Sequence, residues 1–319
     1  MNDASRDPAT PPRENDPSIA SGDQHPVAEI SSRTPSRPRP TPTVNAPSHA
    51  NLHPLRILRS VLGDLVRHRE LIWILFQRDL KAQFRQSLFG YGWLLLPPLL
   101  TTVVWVFLNR QQIVSVPDTG MPYPVFVLVG TIVWQSLVRL LQMPLIAFDA
   151  GRSVFTRMKV PVEVFLAAGS LRAIFDFAVY AAILIPVFLY YGVAIAATAP
   201  AFVIVVAALI TLGTAIGLAL VPIGGLYSDI KHAVPIVMGP LLYLAPVIYP
   251  PPSSGLASHI IRYNPATPIL MAARHTLIEG RLNDLPAVLL VMAISVVVLM
   301  IGLVALRIVT PHLIVRLGT

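Results

Sequence analysis

Residues 78–100 read RDLKAQFRQSLFGYGWLLLPPLL, and within this stretch the chain passes from a basic, aromatic segment into a run fit for a lipid bilayer. On a helix of 3.6 residues per turn, residues 70–86 place Ile72, Trp73, Phe76, Leu80 and Phe84 on one stripe. Arg78, Lys81 and Arg85, spaced i, i+3, i+7, fall on the opposite side. Such a helix is predicted to lie in the membrane surface, rings at the acyl boundary and cations among the headgroups. Two uses stay open at this point: an anchor alone, or an anchor whose cations also meet the phosphates of an anionic lipid substrate. Gly90 and Gly92 permit a close turn from this helix into the first span, and Trp93 suits the interfacial aromatic belt.

The rest of the composition agrees with a membrane setting. With 54% hydrophobic and 13% charged side chains, a chain of 319 residues carries more apolar surface than one water-soluble core requires. The formal charge is +8, yet residues 1–54 hold five Arg against six acids, so the excess belongs to the apolar part. No nucleic-acid partner is expected, because no Lys/Arg cluster sits on a polar domain with base-stacking aromatics. The absence of Cys excludes disulfides, thiol catalysis and Cys-based metal sites. Eleven Pro among Ser, Thr, Asp and Arg make residues 1–54 a disordered arm, and nothing before Leu55 supplies a signal-peptide apolar core. The predicted organisation is therefore a cytoplasmic arm over 1–54, an interface-helix region over 55–88 and a membrane domain over 89–319.

Hydropathy predicts an all-α polytopic fold with six transmembrane helices, at about 89–109, 123–143, 165–191, 201–226, 232–249 and 286–306. Lys and Arg fix the orientation, since positive residues stay on the cytoplasmic side. Thirteen fall in 55–88, 144–163, 227–231 and after 306, against four at Arg110, Arg262, Arg274 and Arg281, so both termini are predicted to be cytoplasmic. Pro186, Pro222, Pro235, Pro240 and Pro246 are candidate bends. The segment 250–285 is too long for a turn and too apolar for a free loop. Asn264-Pro265 and Thr267-Pro268 read as helix starts, and Gly280 as a stop. Arg262, Arg274 and Arg281 read either as surface cations or as partners of Glu279 and Asp284.

Charge inside the spans is rarer and more telling. Arg172 and Asp176 stand one turn apart in the third span, and Arg139 lies near the inner end of the second. Unpaired, each would oppose insertion by about 2.5–3.5 kcal/mol, so a structural Arg139–Asp176 or Arg172–Asp176 pair is the expectation, with an ion relay as the alternative. Enzymatic work is not expected of this chain. Its acids form no pair in a membrane-facing loop, and His259 and His275 lack a third ligand, so both read as surface residues and no metal is expected. Nor is there a P-loop: the three lysines follow Leu80, Met158 and Ile230, whereas that motif needs Gly before Lys. Any ATP hydrolysis belongs to another chain.

Arg78-Asp79-Leu80-Lys81, Phe84-Arg85-Gln86-Ser87, Gly90, Trp93 and Pro98 together resemble the entry helix and first span of one family. Val154 to Pro161, Pro246-Val247-Ile248-Tyr249, and Asn264-Pro265 with Arg274 beyond it extend the likeness over about residues 60–315. The family is that of the permease subunits of ABC-2-type bacterial polysaccharide exporters, which serve O-antigen, capsule and teichoic acid. Phe84 stands where Tyr is usual, and Ser228 where Arg is common.

The resemblance implies a bacterial inner-membrane homodimer with two P-loop ATPase subunits that carry ATP and Mg, a channel along the dimer seam, and a polyprenyl-pyrophosphate-linked polysaccharide as substrate. Short re-entrant helices between spans five and six would narrow the outer exit. Arg78, Lys81 and Arg85 would then hold the pyrophosphate at the cytosolic entry. Trp105, Phe107, Tyr123, Phe126, Tyr243 and Tyr249 are candidate channel aromatics, each equally suited to the lipid belt. Gly151 to Val160 is the candidate coupling helix, with Phe155 and Met158 in an apolar patch and Arg152, Arg157 and Lys159 polar; a merely topogenic loop is the alternative. A drug or lipid exporter of the same class is the closest rival, and a membrane glycosyl or phosphoryl transferase a more distant one.

Overall fold

The computed structural model describes residues 54–85, 87–155 and 160–317. The arm at 1–53 lies outside them, as do Arg157, Met158 and Lys159 and the side chains of Phe84 and Phe155. Among the described residues every regular element is helical. Two helices precede the spans: α1 (Pro54–Arg67) and α2 (Arg69–Phe84). The membrane part comprises α3 (Gly92–Arg110), α4 (Tyr123–Phe155), α5 (Val162–Ala182), α6 (Leu184–Tyr191), α7 (Phe202–Leu226), α8 (Ile230–Leu241), α9 (Leu256–Tyr263), α10 (Ala266–Arg274) and α11 (Leu285–Leu317).

Five helical stretches are long and apolar enough to cross a membrane: Gly92–Arg110, Tyr123–Arg152, Val162–Tyr191, Ala199–Leu226 and Leu285–Thr310. Helices are what lipid demands, because no water is present there to satisfy backbone polar groups. The third stretch joins α5 and α6 across Ile183. Pro186 explains the break, since its ring opposes the carbonyl of Ala182 and it has no N–H to donate.

The predicted fifth span departs from this pattern. Its helix α8 and the 3₁₀ turn Leu242–Leu244 end early, and Ala245 turns extended at φ −130°, ψ 150°. Ala245, Val247 and Ile248 are nonetheless almost wholly buried. Irregular backbone at membrane depth requires such burial in protein.

The core forms around α4, which packs on α3, α5, α7, α8 and α10. Small residues let the helices approach closely. At Gly217 in α7, an added Cβ would stand 2.4 Å from the Leu141 carbonyl oxygen of α4. Helix α4 runs unbroken through Gly151–Phe155, the first half of the candidate coupling helix, whose continuation at 156–159 lies outside the described residues. Its 33 residues span about 50 Å at 1.5 Å each, well beyond a 30 Å hydrocarbon core, so one end projects from the membrane.

Candidate functional site

Helix α2 lies along α5. Its docked face is Ile72, Leu75, Phe76, Asp79 and Leu80, with the exposed Gln83 continuing the i, i+3, i+4, i+7 pattern of that side, and Phe76 meets the Phe175 ring edge-on at 5.9 Å. Leu75 thus replaces Trp73 in the expected stripe. Trp73 sits at the stripe's edge and is half exposed, its ring 5.2 Å from that of Phe76. Arg78, Lys81 and Arg85 all occupy the exposed side. Arg78 also pairs with Asp79 at 2.8 Å, so part of its charge is already answered.

Beneath α2 lies a buried charge cluster. Asp176 is wholly buried and accepts from Arg172 at 2.9 Å and from Arg139 at 3.2 Å. One carboxylate therefore serves two guanidinium groups, where the sequence suggested one pair or the other. Arg172 has further acceptors, the Asp79 carbonyl at 3.1 Å and the Gln83 side-chain oxygen, both on α2. The cluster thus ties the basic surface helix to α5, and through Arg139 to α4. Nothing in the sequence marked Gln83, since an amide on a polar helix face is ordinary.

At the C-terminal end of α4, Asp149 bonds Arg152 at 2.7 Å and also pairs with Lys231. Arg152 donates to the carbonyls of Gly224 and Gly225 at 3.3 and 3.2 Å. The two predicted cytoplasmic loops are therefore one connected surface. On the same side, Arg307 of α11 pairs with Glu163 of α5 at 2.8 Å and Asp64 of α1 at 2.9 Å.

Toward the other end, a cavity of about 690 Å³ is lined by Trp105, Val116, Tyr243, Ile248, Tyr249 and Pro251, among others. The Trp105 and Tyr243 rings meet edge to face at 6.1 Å, and the Tyr249 hydroxyl donates to the Tyr243 carbonyl. Tyr123 sits behind this wall, its hydroxyl donating to the Ile248 carbonyl at 3.1 Å. Phe107 is exposed on α3 and lies outside the cavity lining. Phe126 is buried and lies outside this lining, beside a second cavity that Arg274 and Glu279 also line.

Phe126 leads to the largest departure from the sequence reading. Arg274, expected at the surface or paired with an acid, is wholly buried. Its Nη1 donates to the Pro246 carbonyl and its Nη2 to the Val247 carbonyl, each at 2.7 Å, while Nε donates to the Phe126 carbonyl at 3.2 Å. The guanidinium lies 3.5 Å over the centre of the Phe126 ring. Burial pulls its pKa down to about 9, which leaves it cationic at neutral pH. Gly130 makes the room, since a Cβ there would stand 2.2 Å from Nη2 and 2.3 Å from the Val247 oxygen. The acids expected to meet Arg274 have other partners. Glu279 binds Arg281 at 3.1 Å, and Asp284 binds His275, which is mostly buried rather than a surface residue. Asn264 accepts from the Ala266 N–H at 3.0 Å, as a helix start should, whereas Thr267 lies inside α10 and donates to the Ile261 carbonyl at 2.6 Å.

Residues 70–278 match the ABC-2 type transporter family. The O-antigen export system permease protein RfbA of Myxococcus xanthus is 25% identical over 246 residues, covering 75% of this chain and 92% of that protein. The polysialic acid transport protein KpsM of Escherichia coli is 22% identical, covering 73% and 91%. A second O-antigen export permease, from Klebsiella pneumoniae, is 22% identical, covering 67% and 82%. With well over half its length matched, and with an all-helical, multi-pass architecture to go with the match, the chain belongs to the ABC-2 type transporter family.

Proposed function

We propose that this chain is the membrane subunit of an ATP-driven exporter, and that its cargo is a polysaccharide carried on a polyprenyl pyrophosphate. The observation that carries the reading is the aromatic cavity of about 690 Å³ between Trp105, Tyr243 and Tyr249. Sugar C–H faces rest on flat rings while water still bathes the hydroxyls, a contact weak enough to slide and indifferent to sugar order. Relatives whose names record O-antigen export and polysialic acid transport point the same way.

In this reading α2 lies in the inner leaflet's interface, and Arg78, Lys81 and Arg85 receive the pyrophosphate there. The broken α8 segment serves as a sixth crossing, with α9 and α10 re-entrant on the outer side. Both termini are cytoplasmic, and residues 1–54 form an arm outside the membrane. Two copies related by a two-fold axis enclose the channel, because one such bundle packs solid around α4. ATP and Mg bind a separate P-loop subunit that docks on the Asp149–Arg152–Lys231 surface and the adjoining Phe155–Lys159 stretch.

Reconstitution of the permease with its ATPase tests the cargo. Lipid-linked polysaccharide is expected to stimulate ATP hydrolysis and to appear inside inverted vesicles, and hydrophobic drugs are expected to do neither. Stimulation by drugs alone would refute the polysaccharide reading.

A further inference from the structure

Arg274 has no place in the proposed path, and its surroundings are unusually specific. After Leu244 the α8 segment stops being helical, so the carbonyls of Pro246 and Val247 lose the N–H partners that a continuing helix would supply. At this depth an orphaned carbonyl is costly. The Arg274 guanidinium answers both with its two Nη groups, and its Nε reaches the Phe126 carbonyl on α4. Only a planar fork can do all three at once; a lysine is a single point of charge. The Phe126 ring below and the missing side chain at Gly130 complete a socket for that fork.

The chain leaving the socket is the wall of the aromatic cavity. Ile248 and Tyr249 follow Val247 directly, and Pro250, Pro251, Pro252 and Ser253 continue the lining. The Tyr123 and Tyr249 hydroxyls bond within the same wall. Fixing Pro246 and Val247 against α4 therefore fixes where the ring of Tyr249 stands.

We infer that Arg274 is a positioning residue for export: its fork pins the unwound segment Pro246–Val247 to α4 and so sets the aromatic wall along which a glycan would leave. The inference rests on the proposed cargo for its importance to transport, though not for the geometry.

The chain has no native Cys, so Ser253→Cys gives one reporter thiol on the cavity wall. Its labelling by a membrane-impermeant maleimide is measured in the assembled, ATP-hydrolysing complex, where a simple loss of folded protein would not register. Arg274→Gln and Arg274→Lys are both expected to change the labelling rate several-fold and to lower export about tenfold, the factor expected for losing charge-assisted hydrogen bonds. Basal ATP hydrolysis is expected to stay at the parent level. Rescue of both readouts by Lys would overturn the inference, because charge without the fork would then suffice.

Should the Arg274 variants fail to assemble, Phe126→Leu keeps an apolar side chain of similar size and removes the ring beneath the fork. It is expected to shift labelling in the same direction by a smaller factor, whereas Gly130→Ala, whose Cβ would stand 2.3 Å from the Val247 oxygen, is expected to shift it at least as much as the Arg274 variants. Parent-level labelling and export in both variants would overturn the inference. Labelling requires no cargo, so altered labelling alongside a parent complex that ignores lipid-linked glycan would sink the cargo reading and uphold the role of Arg274.

Discussion

Replacing Asp176 by Asn tests the buried charge cluster most directly, since it removes the one carboxylate while keeping the size of the side chain. At 2.9 and 3.2 Å, and with an effective dielectric constant near 20, each arginine interacts with Asp176 by about 5 kcal/mol before desolvation. Much of that gross attraction only offsets the expense of burying the ions. The net effect is set by the cations left behind. The Arg172 side chain is 4% exposed and cannot reach water, whereas that of Arg139 is 25% exposed and can. Stranding a buried arginine costs about 3–5 kcal/mol, and the loss at a partly solvated one is about 1 kcal/mol or less. We therefore expect Asp176→Asn to destabilise the protein by about 3–5 kcal/mol, nearly all of it through Arg172.

This attribution makes a prediction of sign. Adding Arg172→Met to Asp176→Asn removes the buried cation left without its carboxylate, so the double variant is expected to be more stable than Asp176→Asn alone by more than about 1 kcal/mol. Reversible unfolding in bicelles by steric trapping measures all the variants on one scale. If Asp176→Asn costs less than about 1 kcal/mol, or if the second substitution makes matters worse, the cluster is not balanced as described. An ion relay makes a different demand: export driven by ATP would then depend on a proton gradient, which an ionophore would reveal.

Two further outcomes are expected. Changing Arg78, Lys81 and Arg85 together to Ala removes three exposed cations that pack against nothing in the core, so assembly and basal ATP hydrolysis should persist while stimulation by lipid-linked pyrophosphate is lost; unaltered stimulation in the reconstituted complex would remove them from the path. Gly217→Ala drives a methyl group against the Leu141 carbonyl and should destabilise by about 1–3 kcal/mol in the same unfolding assay, whereas Gly239→Ala, with nothing within 4 Å of the new atom, should be neutral or slightly stabilising.

Among the described residues, the five helical stretches long and apolar enough to cross a membrane could be read from sequence because a bilayer imposes a length and an apolarity that few other structures require. The Arg139, Arg172 and Asp176 cluster was legible for the complementary reason, since charges within apolar runs must find one another or face water. The partners of Arg172 on α2 were not legible. Gln83 and the Asp79 carbonyl belong to a polar surface helix, and only the docking angle of α2 brings them within reach. The break within the fifth predicted span was not legible, because hydropathy responds to side chains, and residues 232–249 remain apolar whether or not their backbone is helical. What stops the helix is visible in Pro246, which disfavours a helical Ala245 before it, whereas Pro235 and Pro240 are accommodated inside α8. What makes stopping tolerable is an arginine 28 residues beyond Pro246, a distance over which no local pattern operates. Glu279 and Asp284 offered Arg274 nearer partners on paper, but Glu279, which lines the same cavity and favours the Arg274 charge, pairs with Arg281, and Asp284 pairs with His275.

The two buried arginines hold their elements in different ways, and the difference bears on how the wall of the aromatic cavity can move. Arg172 keeps a carboxylate whatever α2 does, so α2 can shift by an ångström and leave the charge balanced. Among the described residues Arg274 bonds no carboxylate; three carbonyl dipoles and one ring hold its charge, which Glu279 also favours without bonding it. Those dipoles are effective only at hydrogen-bond distance and good alignment. Sliding Pro246 and Val247 away would strand a cation in the protein interior, which a gradual displacement cannot avoid. The wall beside Tyr249 should therefore have discrete positions, one seated on the fork and any other requiring a new set of acceptors for it. Single-molecule distances across the cavity should accordingly fall into separate populations, and a single broad distribution that drifts continuously through the ATP cycle would contradict this account of the socket.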